Sequence, residues 1–200
     1  MKKQRGVFCF FILYFLFWMG ENALSSYLGI FYEAKGLGGG QIAVINSVFS
    51  IAVVAAALFA GAIGDQISST RSLLLALSIA MILGTALLYI SASYTMILLS
   101  VIIYGVGYSP FNGVADQMLM NRLENHPERF GQIRMGGTIG AGVGVVLAGL
   151  LMQHGSRFSA LFMIYWTAAA FCFLAVLRLP NQAGMKERAT WRDYLLVVQH

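Results

Sequence analysis

Long apolar runs alternate with short polar links along the chain. Hydropathy marks six spans, at about 8–32, 42–63, 73–92, 95–116, 135–153 and 158–177. Each is close to the roughly 20 residues with which an α-helix crosses a bilayer. The predicted fold is all-α, a polytopic membrane protein of six transmembrane helices over residues 1–180, followed by a polar tail at 181–200. Within that tail, Trp191 to Val198 reads as amphipathic. The first run begins after basic residues, as a signal peptide does. Apolar sequence resumes at Leu24 and continues to Tyr32, so an uncleaved first span is expected.

Polar residues are shared unevenly among the spans. Tyr14, Trp18, Glu21, Asn22, Ser25 and Tyr32 fall near one face of span 1. In span 4, Tyr104, Tyr108, Asn112 and Asp116 follow at i+4 and form one stripe. Spans 3 and 6 carry few polar groups. Lipid does not reward a polar stripe, which must face other helices or water. The order polar, middling, apolar therefore occurs twice, the pattern of two three-helix repeats.

Composition agrees with this reading. Hydrophobic residues make up 58% of 200 positions, close to the about 120 that six spans require. Charged residues are 10%, against about 25% in soluble domains. Mean hydropathy is +0.74. These values exclude a disordered chain and a nucleic-acid-binding module, and argue against a soluble enzyme.

The net charge of +5 is explained by where the bases lie. Lys2, Lys3, Arg5, Arg71, Arg122, Arg129, Arg134, Arg178, Lys186, Arg188 and Arg192 share one side of the predicted bilayer; Lys35 and Arg157 lie on the other. The basic side is cytoplasmic by the positive-inside rule. Both termini are therefore expected in the cytoplasm, with the chain in a cell (inner or plasma) membrane.

Glu21 is the sharpest chemical signal. An acid near mid-span costs roughly 2.5–3.5 kcal/mol on insertion scales. It suits a proton or cation site or a partner for a polar solute; the alternative is a protonated acid that bonds a neighbouring helix. Asn22 beside it is open to the same two readings. Asp116 late in span 4 and Arg134 at the start of span 5 lie on one side of the bilayer, joined by a short link. They are expected to meet, either as a clamp with forked hydrogen bonds for a ligand or as a structural clasp. Gly136, Gly140 and Gly144 have small-xxx-small spacing, which favours close helix packing; sliding during gating is the functional alternative. Gly61, Gly64, Asp65 and Arg71 end span 2 and read on their own as a helix end and turn.

Other chemistry is poorly supplied. His126, His154 and His200 lie in links or the tail without metal-ligand spacing. Cys9 and Cys172 sit inside apolar runs. There is no G-x-S-x-G frame and no nucleotide-binding G-x-x-x-x-G-K-[ST] loop. No enzyme activity, cofactor or metal is predicted.

The sequence resembles the major facilitator superfamily, specifically its N-terminal six-helix half. Gly61-Ala-Ile-Gly64-Asp65 after span 2 is similar to the signature between helices 2 and 3, a gating motif completed here by Arg71. Tyr14 to Gly20 and Tyr27 to Tyr32 look like the first helix of the lactose-permease branch. Phe130 to Gly140 is similar to the helix-5 entry of that branch and its phenylpropionate-permease relatives. The resemblance implies that Asp116 and Arg134 serve ligand binding. Gln66, Ser68, Ser69 and Thr70 replace the usual bases and glycine of the signature. The antiporter proline is absent from span 5, which favours symport. Ala141 stands where a sugar-stacking aromatic is expected, so a galactoside is not implied.

The expected function is that of a secondary transporter domain moving a small polar or organic-anion solute by alternating access, with proton-coupled symport. Spans 1 and 4 would line the cavity, helped by 2 and 5. Trp18, Glu21, Asn22, Tyr108, Asn112, Asp116 and Arg134 are the candidate solute and proton site. Partners are the solute, a proton or other coupling cation, the lipid bilayer, and a missing C-terminal half or second copy; no nucleic acid is expected. The length matches one half and the start of a central linker, a fragment or a half-size protein that pairs. The alternative is a non-transporting six-helix assembly or sensor subunit.

Overall fold

A computed structural model describes residues 2–64, 70–123, 126–153 and 158–179, with side chains from residue 8 onward in the first stretch and up to 58. Among these residues every regular element is an α-helix: α1 (Lys2–Ser25), α2 (Leu28–Ala34), α3 (Gly39–Gly64), α4 (Thr70–Ile90), α5 (Tyr94–Arg122), α6 (Arg129–Gln153) and α7 (Ser159–Arg178). They form six segments long and apolar enough to cross a membrane, with α1 and α2 sharing the first. The tail at 181–200, with its amphipathic stretch, lies outside the described residues.

The first span is a broken helix rather than one continuous rod. The Ser26 hydroxyl donates to the Asn22 carbonyl at 2.7 Å. The Tyr27 N–H turns to Leu24, three residues back, at 3.1 Å. Side-chain competition for a helical carbonyl bends or interrupts the ladder. Helix α2 then ends at Gly36, whose φ of 82° suits a residue without a side chain. Helices α5 and α6 also run past the apolar segments, to Arg122 and from Arg129. Met118, Leu119 and Ile133 are buried there, and Arg122, one turn beyond Met118, has its Nε buried as well.

Helix α1 packs along α6 and α7, α5 packs along α3 and α4, and α4 meets α7. Exchanging the first three spans with the last three sends α1 to α5, α3 to α6 and α4 to α7, and maps this set of contacts onto itself. The fold is therefore two three-helix repeats. Close packing depends on small residues, because lipid gives helices no hydrophobic drive to associate. Gly136, Gly140 and Gly144 are buried, and a methyl on each would strike the Phe11, Phe15 and Met19 carbonyls of α1. Gly84 of α4 is in the same position against the Tyr104 backbone of α5.

Candidate functional site

Helix α1 carries two polar centres. Tyr14 and Glu21 are seven residues apart, about two turns and roughly 10 Å along the axis. At the first centre the Tyr14 hydroxyl donates to Asp116 Oδ1 at 2.6 Å. Arg134 Nη1 donates to Asp116 Oδ2 at 2.7 Å. The side chains of Arg134 and Asp116 are 44% and 26% exposed, so the pair is partly wet. Arg134 also lies over the Phe130 ring, 5.8 Å from its centroid.

Asp116 and Arg134 meet, as expected, but for a different reason. The short link does not pack α6 along α5; α6 packs on α1 instead. The ion pair reaches across from α5 to α6, and Tyr14 of α1 holds the other carboxylate oxygen.

At the second centre Glu21 is buried, 4% exposed. The Tyr104 hydroxyl of α5 donates to its Oε2. Tyr104 is fixed by a stacked Phe49 ring, 5.3 Å between centroids, and by the edge of Tyr165 at 6.2 Å. Phe17 of α1 stacks on Phe111 of α5 at 4.8 Å. These rings keep water and lipid from the carboxyl on most sides.

The remaining side opens on a cleft of about 300 Å³ lined by Trp18, Glu21, Asn22, Ser25, Tyr32, Asn46, Phe49, Tyr104 and Tyr108, with apolar neighbours. A second cleft of about 330 Å³ is lined by Trp18, Asn22, Arg134, Gly137, Thr138 and Ala141. Trp18 and Asn22 border both, standing between an acidic lobe and a basic one. None of the residues lining either cleft comes from α4 or α7. Pockets that take small molecules have this size and this mixture of rings and a few polar groups.

Of the sequence candidates, Trp18, Glu21, Asn22 and Tyr108 line the acidic lobe, and Arg134 lines the basic one. Asp116 reaches the site through its ion pair. Asn112 borders neither cleft and donates to the Tyr108 carbonyl of its own helix at 3.3 Å. Asn22 likewise donates to Trp18 O at 3.0 Å, leaving its side-chain oxygen for a ligand. Asp65 lies outside the described residues; Gly61 and Gly64 fall in the last turn of α3, and Arg71 in the first turn of α4. The candidate set lacked Ser25, Tyr32, Asn46, Phe49 and Tyr104 of the acidic lobe, and Thr138 in the basic one. Asn46 carried a signal, an amide in the Ala- and Val-rich span 2. Among the described residues no group of three His, Cys, Asp or Glu side chains could hold a metal ion. The site can hydrogen-bond a solute, stack against its rings, and exchange a proton at Glu21.

The sequence profile of the MFS_1 like family matches residues 9–193. The chain is similar to the maltose permease of Geobacillus stearothermophilus, 24% identical over 171 residues that make up 85% of this chain and 43% of that protein. Its fold is similar to two crystal structures of the nucleoside transporter NupG. The D323A mutant superposes with a TM-score of 0.81 at 20% identity, over 97% of this chain and 51% of that one. The other NupG structure gives 0.78 at 21%, over 94% and 48%. The chain thus spans about half the length of the relatives it matches. Six apolar helices and transporter relatives make it a multi-pass membrane protein. The chain belongs to the MFS_1 like family and has the six-helix fold of one half of a major facilitator superfamily transporter.

Proposed function

We propose that the protein is a secondary active transporter that moves a small polar or organic-anion solute by alternating access, in symport with protons. One observation carries the reading: a buried acid, Glu21, forms part of the wall of a cleft of about 300 Å³ between membrane helices. An acid at membrane depth is costly, and those that face a cavity rather than lipid mark ion and proton pathways. Glu21 takes and releases the coupling proton. Asp116 and Arg134 act as the clamp, with Arg134 turned to an acidic or acceptor-rich part of the solute. Trp18, Asn22 and Tyr108 position it, and Asn112 supports Tyr108 from one turn along α5.

Residues 1–180 are the transport domain, and 181–200 begin a cytoplasmic linker. Both termini are cytoplasmic, in a cell inner or plasma membrane. Gly61 and Gly64 at the end of α3, Asp65 next in sequence and Arg71 at the start of α4 serve as the gating motif. A second six-helix half, or a second copy, closes the cleft. Glycines 136, 140 and 144 hold α6 to α1 as one rocking unit.

The test is proton movement in proteoliposomes holding the full-length protein. Maltose, a nucleoside and an aromatic carboxylate are added outside in turn. Symport predicts that at least one enters and makes the outside medium more alkaline. Entry without a pH change would remove proton coupling, and entry of none of a wider solute panel would favour a non-transporting assembly.

A further inference from the structure

Glu21 borders a second space besides the cleft. A cavity of about 20 Å³ lies between α1, α4, α5 and α7, lined in part by Phe17, Gly20, Glu21, Ser78, Met81 and Tyr165. On α1, Phe17 and Gly20 point to a different side from Trp18, Asn22 and Ser25 of the cleft, and Glu21 lies on the border between them. One carboxyl therefore serves two compartments.

Two polar atoms here are buried without a protein partner: Glu21 Oε1 and the Tyr165 hydroxyl oxygen. Both residues line the cavity. The Tyr165 hydroxyl approaches Glu21 and Thr85 closely enough to interact with each as a hydrogen-bonding group, but its distance or angle to each falls short of a well-formed bond. Ser78, also buried, donates to Leu74 O at 2.8 Å and keeps its oxygen free to accept. A buried polar atom left unpaired is destabilising, so it draws a partner. A buried water needs roughly 10–15 Å³ and two to four polar partners.

We infer that the chamber binds one structural water, which bridges Glu21 Oε1 and the Tyr165 hydroxyl. Tyr165 donates to this water, and the water donates to Glu21 and to Ser78. The chamber is too small for a solute. With it, a polar line crosses the apolar interior: Trp166 donates to Thr85 at 3.2 Å, Tyr165 follows beside Thr85, then the water, Glu21 and Tyr104. The line ties α7 and α4 to α1 and α5. It holds whether or not transport is proton-coupled.

Hydroxyl-radical footprinting of the full chain in lipid nanodiscs tests this, since radicals formed from a bound water oxidise the side chains around it. Met81 lines the chamber, and Met118 borders neither the chamber nor the two clefts. They are 5% and 1% exposed, so bulk solvent reaches both poorly. Met81 and Tyr165 should be oxidised several-fold faster than Met118. Ala169→Leu, which fills the chamber, should abolish the difference. Equal, slow oxidation of Met81 and Met118 in the unaltered protein would overturn the inference without bearing on transport.

Discussion

The Tyr104 hydroxyl of α5 donates to the Glu21 carboxylate of α1, joining the lead helices of the two repeats at the depth of the cleft. Removing the donor strands a buried carboxylate oxygen. Tyr104→Phe should lower stability by about 1–3 kcal/mol, the range for an orphaned buried acceptor. Glu21→Gln keeps a hydrogen-bonding group in place and should cost less. Thermal unfolding of the two purified variants in one detergent checks the order.

Gly140 and Gly142 sit on one helix with opposite surroundings. A side chain at Gly140 would strike the Phe15 carbonyl, and one at Gly142 meets nothing within 4 Å. Gly140→Ala should destabilise by about 1–3 kcal/mol through overpacking. Gly142→Ala should be neutral or stabilise by up to about 1 kcal/mol through helix propensity. Melting temperatures that move together would argue against the α1–α6 contact.

Arg134 and Asp116 are partly exposed, so their pairing should contribute no more than about 1 kcal/mol to stability. Arg134→Lys loses the fork geometry that suits a carboxylate. It should leave the melting temperature nearly unchanged while solute affinity falls. Exchange of the two residues, Asp116→Arg with Arg134→Asp, should preserve folding and not restore binding. Binding isotherms beside melting curves separate the two effects.

Lys35 and Glu128 lie at opposite ends of the helices. Lys35 donates to the Ser91 carbonyl and lies 5.0 Å from the centroid of the Phe31 ring. In sealed cells, a membrane-impermeant thiol reagent added outside should label Lys35→Cys and spare Glu128→Cys. The reverse pattern would invert the proposed orientation.

Much of the fold was legible because a bilayer imposes a simple rule: six apolar segments, each long enough to cross. Glu21 was visible because an acid at that depth is costly. The break at Ser26 was not visible, because hydropathy does not register which carbonyl a hydroxyl captures. Asn46 and Phe49 were not placed, because α3 is apolar nearly all round and its pattern does not fix its rotation about its axis. Tyr165 lies in span 6, where polar groups are few, and its approach to Glu21 depends on how α7 packs across α1. The meeting of Asp116 with Arg134 followed from their shared side of the bilayer. The part of α1, whose Tyr14 holds the other oxygen of Asp116, follows only from the three-dimensional packing.

The most direct test of Glu21 as the coupling acid compares two transport modes of the full-length Glu21→Gln protein in proteoliposomes, with a solute that the unaltered protein accumulates. The account predicts that solute exchange across the membrane persists while accumulation driven by a proton gradient is lost. Accumulation at the unaltered level would contradict it.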